Sequence, residues 1–250
     1  ALFAGNSKRV QVDSGQIEAI RGILGAQPAG GRVYGRLKSR AMASGEPMWT
    51  ARENAGPQPE LFFAAAGAFA PGAGVPVLFT RSGYDKIFLP IVSKGPELLQ
   101  EENWVVGDTA SRSLSPAEMA TLKQDLDRLY FGEFLSRWQA YTAAIQVKPV
   151  ASLGENVQRL RDGGGPLSPI GPPLRALAKA TDMTPAVNVP KPSNALAQAA
   201  LNISGVGAAI DGSGPRGDAV QAFLPLRLFV GGGQGASPLD SLLQTMTQLA

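Results

Sequence analysis

The chain has 250 residues, of which 44% are hydrophobic and 17% charged, and it contains neither histidine nor cysteine. These two absences exclude disulfides, cysteine nucleophiles, histidine general bases and every metal site that needs such ligands. The net charge of +3 comes from basic residues scattered along the sequence, unlike the concentrated charge of nucleic-acid-binding proteins. The 30 Gly and 20 Pro make up a fifth of the chain, so the composition indicates a folded, loop-rich protein of one or two domains.

The first third of the chain predicts two helices followed by irregular structure. Ile17, Ile20, Ile23 and Leu24 have helical spacing over residues 15–27. Val33, Tyr34 and Leu37 predict a second helix over 31–43. Between Ser44 and Thr80 the pattern breaks into turns and short apolar stretches, which favour short strands.

A membrane span is the first alternative to test, because Leu61 to Phe79 carries no charged residue. Its two prolines and three glycines would interrupt a spanning helix repeatedly, and the bilayer offers no water to the freed backbone groups. We therefore predict an apolar core segment, a turn and a short strand over 75–80. We expect any membrane anchor to lie outside this stretch of sequence.

The strongest helical signal begins at Ser115-Pro116-Ala117-Glu118, where a serine precedes a proline and a glutamate stands three residues later. This spacing is typical of a capping box, in which the two side chains satisfy unpaired N–H groups at the start of a helix. Apolar residues then recur in steps of three and four and predict one long central helix to about Ile145. They are Met119, Leu122, Leu126, Leu129, Tyr130, Phe134, Trp138, Tyr141 and Ile145. Gly132 is expected to mark a kink or a close contact between helices.

The remaining sequence alternates short helices with connectors rich in glycine and proline. Predicted helices cover 153–161, 174–180, 194–203 and a last one after the Ser237-Pro238-Leu239-Asp240 cap. Predicted connectors cover 162–173, 182–193 and 204–217, and Leu226 to Val230 resembles a strand. Another predicted helix covers 91–105, with Leu98, Leu99 and Trp104 as packing residues.

No motif predicts catalysis or a cofactor. Gly231, Gly233 and Ala236 fit a dinucleotide fingerprint in spacing, but they lack the acidic residue expected about 20 positions later, so a glycine linker is the better interpretation. In a chain without histidine, a pair of carboxylates is the set of catalytic groups for hydrolysis that remains. The neighbouring pairs Glu101-Glu102 and Asp125/Asp127 would point in different directions on a helix. We predict no catalytic, cofactor-binding or metal-binding residue.

Several strings, in order, resemble the IcmF/TssM family of bacterial type VI secretion systems. Val75 to Tyr84 is similar to the family's IPGLYTRAGY stretch, and Glu102 to Gly107 to its ENWVLG segment. The helix through Leu129, Tyr130 and Trp138 to Pro149 resembles a third stretch, with Phe134 where the family often has Tyr. Pro166 to Pro169 and Ser237 to Asp240 also have counterparts. The resemblance covers roughly residues 28 to 250.

This resemblance implies a periplasmic piece of a large inner-membrane protein. Its expected partners are the outer-membrane lipoprotein TssJ, the inner-membrane protein TssL and further TssM copies. In the family, the β-rich domain that contacts the lipoprotein follows the SPLDxLL helix.

The resulting prediction is a mainly α fold, a helical bundle with one long central helix, a small β element and Gly/Pro-rich connectors. Residues 1–110 would form a helical segment with short strands and 111–250 a helical domain, or both would form one continuous domain. We expect a non-enzymatic, periplasmic scaffold that acts by protein–protein contacts, with no cofactor, no nucleic acid and no small-molecule substrate. The alternative is a periplasmic carbohydrate-active or cell-wall-binding protein built on carboxylates.

Overall fold

The structure is a computed structural model that describes residues 15, 28–43, 45, 47–56, 59–94, 115–165, 167–185, 214–231 and 236–249. The helices are α1 (Ala29–Ala43), α2 (Arg81–Gly83), α3 (Leu89–Ser93), α4 (Pro116–Ala143), α5 (Leu153–Gly164), α6 (Gly171–Thr181), α7 (Gly214–Ala222), α8 (Leu224–Val230) and α9 (Pro238–Leu249). Strands β1 (Met48–Trp49) and β2 (Val75–Pro76) pair with each other. The mainly α prediction is confirmed. The helix predicted over 15–27, apart from residue 15, and the one predicted over 194–203 lie outside the described residues.

Helix α4 is the long central helix that the sequence predicts. Its capping box is present: the Ser115 hydroxyl accepts a hydrogen bond from the Glu118 N–H, and the Glu118 carboxylate accepts one from the Ser115 N–H at 2.8 Å. One face is buried through Leu122, Leu126, Tyr130, Phe131, Phe134, Trp138 and Tyr141. Gly132 is exposed, and a Cβ there would meet nothing within 4 Å, so the predicted close contact at this residue is wrong.

Helix α1 packs against α4 with the face that the sequence predicts. Val33, Tyr34 and Leu37 are buried, together with Gly30 and Ala41. Their spacing of three and four residues places them on one side of the helix. The apolar face of α1 is therefore covered by the core.

The segment from Met48 to Thr80 forms a minimal antiparallel sheet and a series of tight turns. Met48 pairs with Pro76 and Trp49 with Val75. The predicted strand 75–80 is wrong beyond Pro76, because Val77–Phe79 forms a 3-10 turn. The Thr80 hydroxyl donates to the Val77 carbonyl at 2.8 Å and accepts from the Gly83 N–H, which ends the turn and starts α2.

The uncharged stretch 61–79 enters the core rather than forming a continuous helix. Phe63, Phe69 and Phe79 are buried in it. None of the helices in the described ranges has the length and hydropathy needed to cross a bilayer.

Residues 81–93 form one helical element with a wide turn in its middle. Tyr84–Phe88 is π-helical, and the Leu89 N–H bonds to the Tyr84 carbonyl directly before Pro90. A π turn holds one residue more than an α turn. Here the π turn comes directly before Pro90, which has no N–H to donate to the helix. The helix predicted over 91–105 is helical at 91–93, and its part beyond residue 94 lies outside the described residues.

Two connectors of the C-terminal half are shorter than predicted. Helix α5 continues through Gly164, and Pro172-Pro173 lies in the first turn of α6. Pro225 likewise opens α8, so the predicted strand Leu226–Val230 is wrong. Proline in the first helical turn loses no intrahelical hydrogen bond, and it therefore starts these helices instead of separating them. Residues 214–217, predicted as connector, are the first turn of α7.

The last helix, α9, is capped by Ser237 and Asp240 and packs against α5. Gly164 allows this contact: a Cβ there would lie 2.6 Å from the Leu243 carbonyl oxygen. The Thr247 hydroxyl donates to the Gly164 carbonyl at 2.9 Å. Gly163 and Gly164, predicted as part of a connector, are therefore a site of close helix approach.

The main core draws residues from both halves of the chain. It runs from Val33 of α1 through the aromatic residues of α4 to Phe223, and a smaller core joins Ile170, Leu239 and Met246. The division near residue 110 stays a prediction, because residues 95–114 lie outside the described part.

Candidate functional site

Three aromatic side chains of α4 bind backbone carbonyls of the irregular segment 48–80. The Tyr130 hydroxyl donates to the Leu78 carbonyl at 2.8 Å, and the Trp138 indole N–H to the Phe79 carbonyl at 2.6 Å. The Tyr141 hydroxyl donates to the Ala68 carbonyl at 2.9 Å and accepts from the Ala51 N–H at 2.7 Å. Because this segment has little sheet pairing, these bonds satisfy polar backbone groups that would otherwise be buried without partners.

All three side chains are buried in the core, and each also has a polar role. Tyr and Trp bury an apolar ring and carry one polar group that needs a partner. The apolar spacing that predicts the helix depends only on the rings. The sequence signal for the polar role is that the stripe contains Tyr130, Trp138 and Tyr141 where Phe or Leu would fill the same space without an N–H or O–H.

Glu133 lies on the side of α4 that faces α1 and joins the two helices. Its carboxylate accepts from the Tyr34 hydroxyl at 2.8 Å, from Lys38 at 3.3 Å and from Arg137 at 2.6 Å. Burial alone would raise the pKa of Glu133, but the hydrogen bonds from Arg137, Tyr34 and Lys38 hold that pKa below its usual value. Burial and the neighbouring carboxylate raise the pKa of Tyr34. Glu133 is thus a charged acceptor that orients α1.

A second polar cluster, the arginine clamp, consists of Arg81, Arg216 and Arg227 around the backbone of residues 182–184. Arg81 donates to the Asp182 carbonyl at 3.1 Å, and Arg216 donates to the Met183 carbonyl at 2.8 Å. Arg227 donates to the Asp182 carboxylate at 2.6 Å.

The Asp182 carboxylate also binds Thr184, which lies in the segment that the clamp surrounds. It accepts from both the N–H and the hydroxyl of Thr184. Partial burial would raise the pKa of Asp182, but the Thr184 hydrogen bonds and the Arg227 charge lower it below its usual value. The clamp ties α2, α7 and α8 to the end of α6.

Replacing Asp182 with asparagine is expected to destabilise the fold by about 1 kcal/mol at neutral pH, because the Arg227 pair is lost while the side chain stays partly exposed. The folded-state pKa of Asp182 is lowered, so its stabilisation is present above the ordinary Asp pKa and disappears as the pH falls through the folded-state value. Chemical denaturation from pH 7 down to pH 3 should therefore show the difference between the two chains shrinking. D85N is the matched control, since the Asp85 side chain is 42% exposed, against 41% for Asp182, and also pairs with one arginine, whereas Asp182 accepts two further bonds from Thr184. Equal effects of D182N and D85N would contradict the clamp.

The carboxylates considered for catalysis do not form a site. Asp125 pairs with Arg128 at 3.0 Å, whereas Asp127 faces Lys123 and Arg216, and burial raises the pKa of Asp127. Glu101 and Glu102 lie outside the described residues. In the described ranges, no three acidic side chains come together in a way that could hold a metal ion.

Within the described residues, a small apolar cavity and the glycine motif give no ligand site either. A small cavity of about 20 Å³ between β1, α4 and α6 is lined by apolar atoms of Trp49, Phe63, Tyr141, Pro173 and Leu177, among others. This is roughly the room one water molecule needs, without the polar partners that hold water in place. Gly231 ends α8 and Gly233 lies outside the described residues, so no strand precedes the fingerprint-like spacing.

These features define a mainly α domain whose polar side chains hold its own backbone in place. A family profile described as "IcmF-related: Intracellular multiplication and human macrophage-killing" matches residues 1–182. The chain belongs to this family, as the resemblance of its motifs predicts.

The chain is also similar to the type VI secretion system component TssM1 of Pseudomonas aeruginosa. The two are 29% identical over 266 aligned residues, which cover 100% of this chain and 24% of the relative. The chain therefore corresponds to about a quarter of that protein. No solved structure matches it.

Proposed function

We propose that this chain is a non-enzymatic scaffold module of a type VI secretion membrane complex. In this proposal it lies in the periplasm and acts by protein–protein contacts. The family membership and the similarity to TssM1 support the type VI assignment. The expected partners are the outer-membrane lipoprotein TssJ, the inner-membrane protein TssL and further TssM copies.

The observation that carries the scaffold role is how the chain uses its polar side chains. Tyr130, Trp138 and Tyr141 bind the backbone of segment 48–80, and the arginine clamp binds the end of α6. A carboxylate-based glycoside hydrolase needs two carboxylates facing a cleft that admits substrate. In the described part of the chain, Asp125, Glu133 and Asp182 are each bound to arginine instead. This arrangement favours a rigid platform over an active site.

The test is co-purification of the 250-residue chain, exported to the periplasm, with tagged TssJ, TssL or a second TssM copy from the same organism. We expect at least one to be retained stoichiometrically. A periplasmic protein of similar size and charge, carried through the same steps, is the control. A folded chain that retains none of the three would contradict the proposal.

The carboxylate-based alternative makes the opposite prediction. Incubation with purified peptidoglycan would release soluble fragments, and D125N or D127N would abolish that release. We expect no release above the buffer control.

A further inference from the structure

The arginine clamp joins two stretches of chain that lie on either side of residues 186–213, which are outside the described part. The Arg216 guanidinium donates to the Met183 carbonyl at 2.8 Å and lies 5.0 Å from the centre of the Tyr84 ring. Arg227 binds the Asp182 carboxylate at 2.6 Å. The clamp therefore holds the residues before this connection directly against the residues after it.

Each side of the connection is also held by the main core. Met183 is fully buried there, at the end of the stretch that follows α6. On the other side, α7 buries Val220, and Phe223 at its end contacts Phe134 of α4 with 6.0 Å between the ring centroids. These contacts fix both sides without using a residue between 186 and 213.

The helices after the connection make a second set of contacts with the helices before it. Leu239 and Met246 of α9 share the smaller core with Ile170. The Thr247 hydroxyl donates to the Gly164 carbonyl at 2.9 Å, where α9 lies against α5. Helices α7 to α9 are thus bound to the earlier helices at two places, through α7 at the main core and through α9 at the smaller one.

We infer that the arginine clamp is a non-covalent closure, which keeps α7, α8 and α9 on the fold when the chain is cut between residues 185 and 214. A cut turns the docking of the two parts from an intramolecular step into a bimolecular one, so the parts stay together only if their contacts suffice. Here those contacts include two apolar cores and the charge-assisted hydrogen bonds of the clamp. The inference does not rest on the proposed scaffold function: it states that the fold survives proteolytic cleavage at this point.

The test is cleavage of the folded, full-length chain at a sequence-specific protease site that replaces residues 196–202. After complete cleavage, we expect both fragments to elute together from size-exclusion chromatography at the position of the uncut chain, with unchanged far-ultraviolet circular dichroism. Two separate peaks, or a loss of helical signal on cleavage, would overturn the inference. If the folded chain resists the protease, co-expression of residues 1–195 with tagged residues 203–250 makes the same break. Failure of the tagged fragment to retain the other one is then the contradicting result.

Two variants that each remove one positive charge test the clamp itself. R216Q removes the donor to the Met183 carbonyl, whereas R175Q removes an ion pair between the same two fragments, in which Arg175 binds Asp240 and both side chains are nearly half exposed. Fluorescence anisotropy of the labelled C-terminal fragment gives the dissociation constant after cleavage. We expect it to rise about tenfold or more in R216Q and to stay within about threefold of the original in R175Q.

Equal weakening in both variants would contradict the role of the clamp. If the uncut R216Q chain loses its helical circular dichroism, R227Q provides the same comparison, because it removes the pair with Asp182.

Discussion

Replacing Trp138 with alanine is expected to lower the free energy of unfolding by about 3–5 kcal/mol. The side chain is fully buried, and its ring contacts Trp49 at 5.0 Å between centroids and Tyr141 at 6.0 Å. Alanine would leave a cavity at the centre of the aromatic core and remove the donor to the Phe79 carbonyl. Urea denaturation followed by far-ultraviolet circular dichroism measures the loss.

The W138F chain separates the cost of the cavity from the cost of the lost hydrogen bond. Phenylalanine keeps much of the ring but has no N–H, so the Phe79 carbonyl loses its partner at a cost of about 1–3 kcal/mol. We expect W138F to lie between the original chain and W138A. A loss below about 1 kcal/mol in W138A would mean that Trp138 is not a core residue.

Replacing Gly83 with alanine is expected to destabilise the fold by about 3 kcal/mol or more, since overpacking against rigid neighbours usually costs 1–3 kcal/mol. Its Cβ would lie 1.9 Å from the Val77 carbonyl oxygen and 2.7 Å from the Leu78 Cα. Both atoms belong to the backbone of the turn that leads into α2, so no side chain can rotate away. Thermal unfolding should show a fall of roughly 6 °C or more.

The same substitution at Gly132 is the matched control, and it is expected to change the stability in the opposite direction. Gly132 lies inside α4, is exposed and has open space at its Cβ position. G132A should stabilise the protein by about 0.5–1 kcal/mol, because alanine loses less backbone entropy in a helix. Similar melting temperatures for G83A and G132A would contradict the packing at Gly83.

Helices with strong local signals could be predicted from the sequence. For α4 and α9, a serine cap, a proline and an acidic residue stand within four positions, and their hydrogen bonds form within that short span. The apolar spacing of α1 and α4 also identified most of the buried face. Phe131 was missed because it follows Tyr130 directly and breaks the three-and-four spacing.

Local patterns were a poor guide where an apolar stretch contains proline or glycine. Leu226 to Val230 is apolar enough for a strand, but Pro225 starts a helix there and α8 packs against α6 and α9. The glycines at 163–165 were interpreted as a connector, although Gly163 and Gly164 belong to α5 and allow α9 to approach. The sequence alone does not tell whether a glycine lies in a turn or at a contact between two helices. Only the residue packed against it in the folded chain distinguishes the two cases.

By itself, the sequence determined the helical class, the helix caps, the family resemblance and the exclusion of histidine and cysteine chemistry, because each depends on composition or on neighbouring residues. The tertiary structure decided the conformation of segment 48–80 and the arginine clamp. The reason is distance along the chain: Tyr130 and Leu78, or Arg216 and Met183, are 52 and 33 residues apart and meet only after folding.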